Sequence, residues 1–180
     1  MRQHGFSLIE LLMGLTIVGI VLHLVSPAFA AVMESNYREE AARSLASGLR
    51  SARSEAIARN QTVVIHGING DWGQGWRMIL DVSGKGYEDS SNPLLIERRS
   101  SIRLPVFGNQ HVKTFVRFSH LGEPVHGGFQ QGTLHICAAR DPVSLHRVVL
   151  AQSGRVSLRS NKTAHPLCAG DSGLQQRANA

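Results

Sequence analysis

The chain has 180 residues, two cysteines and a formal net charge of +6. That length suits one globular domain behind a short N-terminal segment and sets aside a multidomain reading. From Arg140 onward, six bases (Arg140, Arg147, Arg155, Arg159, Lys162, Arg177) stand against two acids (Asp141, Asp171). A basic last third can attract polyanions; an ordinary solvated face also explains it.

The chain opens Met1-Arg2-Gln3-His4-Gly5 and then turns apolar from Phe6 to Met33, with Glu10 as the one charged residue in that run, His23 being counted neutral. A carboxylate in a bilayer-compatible helix costs roughly 2.5–3.5 kcal/mol, so it needs a partner. The uncharged stretch from Leu11 to Met33 reaches about 35 Å as a helix, enough to span a membrane. Ala28-Phe29-Ala30 before Ala31 also offers a secretory cleavage site, but Glu10 would then lie inside the apolar region of the signal. A plain anchor leaves Glu10 without a reason.

A basic leader ending in Gly5, then Phe6, with an acid at Glu10, resembles the N-termini of type IV pilins and type II secretion pseudopilins. The resemblance implies a leader over residues 1–5, cleaved after Gly5 by a prepilin peptidase. It also implies N-methylation of Phe6 and an assembly role for Glu10. The new α-amino cation and a neighbouring subunit's carboxylate can pair in a dry environment where each alone is costly.

Residues 6–33 form the expected membrane or filament-core segment. Pro27 is expected to kink the helix without ending it. Ala41, Ala42, Leu45, Leu49, Ala52, Ala56 and Ile57 continue a three- and four-residue spacing, so the helix extends to Arg59 as an amphipathic stem. Glu39–Arg43 and Glu55–Arg59 are favourable i,i+4 pairs, and Asn60 suits the C-terminal cap. Such a helix is about 80 Å long.

The period then changes. Thr62–His66 is β-branched, Asn69-Gly70-Asp71 signals a turn, and Trp72–Leu80 alternates, placing Trp72, Trp76, Met78 and Leu80 on one face. Asp81–Asn92 reads as a loop. Further strands are expected at Leu94–Arg98, Val112–Phe118, Thr133–Cys137, Arg147–Gln152 and Arg155–Arg159, the last two joined through Ser153-Gly154 as a two-residue hairpin connection. Residues 34–168 thus make the globular domain with its helical stem, and residues 169–180 a frayed tail. The expected fold class is α+β, and the pilin resemblance implies the pilin fold, a long kinked N-terminal helix packed on small antiparallel sheets.

Ala52-Arg53-Ser54-Glu55-Ala56, then Val63-Val64-Ile65, then Trp72-Gly73-Gln74-Gly75-Trp76, is similar to the GspH/FimT family of minor pilins and pseudopilins. The turn Gly154-Arg155-Val156 before Cys168 is also similar. The resemblance implies a filament subunit whose partners are other pilins or pseudopilins, held in a bacterial inner membrane with the domain in the periplasm. Some members bind DNA through a C-terminal Gly-Arg-x-Arg-like motif. Here Arg155 matches the first arginine, Ser157 stands at the second, and Arg159 follows on the same strand face with Lys162 nearby, so Arg155, Arg159 and Lys162 are the candidate DNA contacts.

Cys137 and Cys168 are expected to pair in an oxidising compartment, since no third cysteine competes. Nine histidines match no four-ligand zinc spacing, although His135 and Cys137 share a strand face. No nucleophile elbow, P-loop or dinucleotide pattern occurs. The expectation is a non-enzymatic minor pilin without metal or cofactor. A type II secretion pseudopilin is the nearest alternative, and a DNA-uptake pilin the next.

Overall fold

The computed structural model describes residues 8–138 and 142–169, apart from the side chains at positions 24, 25, 27 and 28. The leader, the Gly5–Phe6 junction and positions 170–180 of the expected tail lie outside the described residues. By contacts the chain divides into two units, Met1–Tyr37 and Arg38–Ala180. One helix, α1 (Leu8–Arg59), begins in the first unit and ends in the second.

In the first unit most of the described side chains of α1 are exposed: Leu8 is 76% exposed, and Leu11, Leu15, Ile20 and Phe29 are likewise open, while Met33 and Tyr37 are half-buried. In the second unit one stripe of α1 is buried, formed by Ala42, Leu45, Ala46, Leu49, Ala52 and Ala56. The i,i+4 pairs lie off that stripe, Arg43–Glu39 at 2.5 Å and Arg59–Glu55 at 2.6 Å. Asn60, at φ 51°, ends the helix. Its N–H donates to Ile57 O and that of Gln61 to Ala56 O, both 3.2 Å, the double bond of a Schellman cap. Ile57 departs from the expected stripe. It is 50% exposed, with Gly122 of a later loop close against its side chain.

The stem packs on an antiparallel sheet of order β3-β2-β1-β5, made of β1 (Val63–Ile68), β2 (Asp71–Leu80), β3 (Leu94–Arg99) and β5 (Phe115–Phe118). Asn69 (φ 54°) and Gly70 (φ 75°) make the β1–β2 turn. In register, Ile65 pairs with Met78 and with Val116, and all three are fully buried. The central strand β1 is also buried on its other face, which the loop after β2 covers: Tyr87 stacks on His66 at 5.1 Å. That loop contains a short 3-10 turn, Gly86–Glu88. Asp81 and Asn92 hold it. Asp81 accepts from Gly86 N–H (2.9 Å) and from Arg117, while Asn92 Oδ1 accepts from Val82 and Ser83 N–H (3.0 and 3.1 Å).

Trp72 and Trp76 do not share one face. The β1–β2 register jumps from Gly67–Trp76 to Ile68–Asp71, so residues 72–75 bulge out. Trp76 donates to Ser44 Oγ on α1 (3.1 Å), and Trp72 to the Lys113 carbonyl (2.9 Å). The intervening glycines are spatial requirements. A Cβ on Gly73 would lie 1.9 Å from Leu104 O, and Gly75 adopts φ +114° with Arg98 O equally tight against it, so side chains are excluded at both. Leu80, expected on that same face, is only half-buried.

The second sheet has order β4-β6-β7-β8, with β4 (Val106–Gly108), β6 (Gly132–Cys137), β7 (Val143–Leu150) and β8 (Val156–Arg159); β9 (Thr163–Ala164) pairs with β7. Leu134, Ile136, Val148, Leu150 and Val156 bury its inner face. Two expectations shift. Val112 ends a 3-10 turn and the strand starts at Phe115, because Val112 O and Lys113 O are taken by the Trp72 indole instead of a ladder. The β7–β8 connection is also longer than two residues. Leu150 pairs with Val156, Gly154 N–H donates to Ala151 O (2.9 Å), and Gly154 takes φ +76°.

Candidate functional site

Gly5 and Phe6 lie outside the described residues. Glu10 lies in the first turn of α1 and is exposed. Among the described residues no ion pair reaches Glu10. Its neighbours Ile9, Leu11, Leu12 and Met13 are all exposed, an apolar surface that water does not favour. Among the described residues no helix is long and apolar enough to cross a membrane. Four side chains within the Leu11–Met33 run lie outside that described set.

At the far end of the stem, two segments that carry the family likeness meet. Arg53 Nε donates to Gly122 O at 3.0 Å, and Arg50 Nη2 to Val156 O at 3.2 Å. Gly154 lies under the Arg53 side chain. A Cβ there would be 2.4 Å from Gly122 O and 2.9 Å from Arg53 Nε. The glycine of Gly154-Arg155-Val156 is therefore a docking residue that lets the β7–β8 hairpin close on the arginines of α1.

Arg155 lies in the turn, not on the strand, and is exposed; Arg159 is exposed at the end of β8, and Lys162 is exposed beyond it. The hairpin register adds a residue outside the candidate set. Arg147 on β7 is directly opposite Arg159, so both side chains leave the same face of the sheet. Arg147 Nη2 donates to Asn161 Oδ1 at 2.7 Å, and its buried Nε has no hydrogen-bond partner. The signal for Arg147 is present in the sequence, but a two-residue connection would pair it one position away.

Next to these bases, Cys137 and Cys168 form a disulfide with Cα atoms 5.5 Å apart and 31 positions of separation, within the usual range for such a bond. It ties a 3-10 turn (Pro166–Ala169) to β6. His165, just before that turn, stacks on His135 of β6 with ring centroids 3.9 Å apart. Ser144 Oγ donates to His146 O (3.2 Å), which leaves His135 Nδ1–H to donate to that hydroxyl (3.1 Å). Burial, then the neighbouring charges of His165 and Arg147, push the His135 pKa down to about 4. It is a neutral core histidine at pH 7. Among the described residues no three histidine, cysteine or carboxylate side chains are grouped to hold a metal.

Residues 41–154, well over half of the chain, match the family model of type II transport protein GspH. Residues 1–26 match the prokaryotic N-terminal methylation motif. The GspH match stops at Gly154, so Arg155, Arg159, Lys162 and Cys168 lie beyond it. No curated protein matches. Similar solved structures include two crystal forms of the type IV minor pilin FimU of Pseudomonas aeruginosa. One has 22% identity, covering 75% of this chain and 97% of that chain, with a TM-score of 0.58. The other has 20% identity, covering 72% and 98%, with a TM-score of 0.51. The chain belongs to the GspH family of type II transport proteins and has the pilin fold, which places it among the minor pilins and pseudopilins.

Proposed function

We propose that this protein is a non-enzymatic minor pilin of a type IV pilus system. A prepilin peptidase cleaves it after Gly5, Phe6 is methylated, and residues 6–33 anchor it in the bacterial inner membrane before it joins other pilins. The observation that supports this most is the joining of a methylation motif to a helix whose first half exposes apolar side chains on every side. Such a surface is stable against lipid or against like helices, not against water. The FimU likeness favours the pilus over the secretion system. The name of the matching family model favours the alternative, a type II secretion pseudopilin.

Two measurements test the reading. Mass spectrometry of membrane-extracted protein is expected to find a methylated Phe6 N-terminus; a mature N-terminus at Ala31 would replace it with secretion. Glu10→Gln is expected to insert normally and to enter filaments poorly, because the carboxylate's role is to pair with a neighbour's terminal amine. Filament entry equal to wild type would remove that role.

The Arg147–Arg159 pair supports a second reading, contact with DNA phosphates during uptake. Two aligned cations with Arg155 and Lys162 nearby suit sequence-independent binding that weakens as salt rises.

A further inference from the structure

The register that aligns the two arginines continues across the whole second sheet. Phe107 on β4 pairs with His135 on β6, His135 with Arg147 on β7, and Arg147 with Arg159 on β8. Directly opposed residues leave the same face of a sheet, so the four strands carry one cross-strand row. It runs from an aromatic ring to two guanidinium groups over three inter-strand gaps, about 14 Å. Leu134, Ile136 and Val148 alternate with the row and are buried in the core, which puts the row on the outer face.

His165 adds a second ring to this face. It stacks on His135 with centroids 3.9 Å apart and planes 27° from parallel. The turn that follows it, Pro166–Ala169, packs against β4, β6 and β7. Phe107 is 38% exposed and His165 half-buried, and among the described residues His165 stacks on no ring other than His135. Arg159 and Lys162 are exposed and have no hydrogen bond or ion pair among the described residues. No aspartate or glutamate occurs in β4, β6, β7 or β8, so no strand of this sheet sets a carboxylate against a bound anion.

We propose that this face binds single-stranded DNA in preference to duplex, with unstacked bases on Phe107 and His165 and backbone phosphates on Arg147 and Arg159. That preference presupposes the DNA contact proposed above and adds bases to the phosphates. Bases inside a duplex are already stacked and present no free ring face, whereas an unstacked base does. Rings placed beside cations therefore select the state of the strand, not its sequence.

The test uses the full-length chain in nonionic-detergent micelles and fluorescence anisotropy with three labelled probes: a thymidine dodecamer, a dodecamer of abasic sites and a dodecamer duplex. The thymidine strand is expected to bind at least about fivefold more tightly than the abasic strand, the low end of base–aromatic stacking, and more tightly than the duplex. Phe107→Ala and His165→Ala should each lower the ratio of thymidine to abasic affinity, and Phe107→Tyr should keep it. Arg147→Gln should weaken binding of all three probes. The comparison of thymidine with abasic strand needs no variant, so it stays decisive if a substitution unfolds the chain. Equal affinity for those two strands, tighter binding of the duplex, or an unchanged ratio in folded Phe107→Ala and His165→Ala would overturn the proposal and leave phosphate contact standing. No binding of any probe at low salt would remove both.

Discussion

Acid should destabilise this domain through His135, and the size follows from its surroundings. The ring is 4% exposed, stacked on His165 and bonded to Ser144. Its folded pKa is about 4, against the ordinary 6.5. In the unfolded chain it takes a proton near 6.5, and in the folded chain only near 4. The unfolded state therefore binds more protons between those values, and stability falls as pH drops through the window. The gap corresponds to about 3 kcal/mol once both states are protonated, or roughly 10 °C in Tm for a domain of this size. Burial likewise lowers the pKa of His66 and His146, so the wild-type slope has other contributors. The discriminating measurement is the difference from His135→Gln. Unfolding of both full-length proteins in nonionic detergent can be followed from pH 7 to 4 by fluorescence of the buried Trp72 and Trp76. The variant should lack about 3 kcal/mol of the wild-type acid loss. Parallel loss in the two proteins would refute the reasoning. His165→Asn should recover only a smaller part, because burial is the larger cause and His165 the second.

Other expectations follow from named contacts. Protein isolated without reductant should show no free thiol on labelling, and Cys137→Ser/Cys168→Ser should lose roughly 3–4 kcal/mol in denaturant unfolding, the chain-entropy worth of a loop near 31 residues; two labelled thiols would refute the bond in the native protein. Gly154→Ala should cost about 2 kcal/mol or more, from the left-handed backbone and from Gly122 O at 2.4 Å, and the loss should shrink in an Arg53→Ala background because the two share one contact. Unchanged denaturant midpoints would disprove the docking role. If the basic hairpin binds DNA, Arg147→Gln should reduce the salt slope of binding as much as Arg159→Gln, by about one unit each; an effect of Arg159 alone would separate the pair.

Local rules make part of this protein legible in its sequence. The helix to Arg59, its Asn60 cap, the Asn69-Gly70 turn and the strands around Val64, Met78 and Ile136 follow from periodicity and backbone preference, properties of neighbouring residues. The residues proposed for processing and assembly, Gly5, Phe6 and Glu10, are also read locally, from a short basic start and an acid in an apolar run. What only the tertiary structure decides involves register and distance along the chain. One extra residue in the β7–β8 turn sets Arg147 opposite Arg159, since a one-residue slip re-pairs every side chain on a strand. The bulge at residues 72–75 sends Trp72 and Trp76 to different partners. Arg53 finds Gly122 and Gly154 far along the chain, and Asp81 finds Arg117. His135, which shares a strand with Cys137, is half of a buried stack whose other ring comes from the segment that the disulfide ties down. No periodicity encodes such contacts. They depend on which strands become neighbours, and that is decided only when the helix stem and the two sheets bury their apolar faces together.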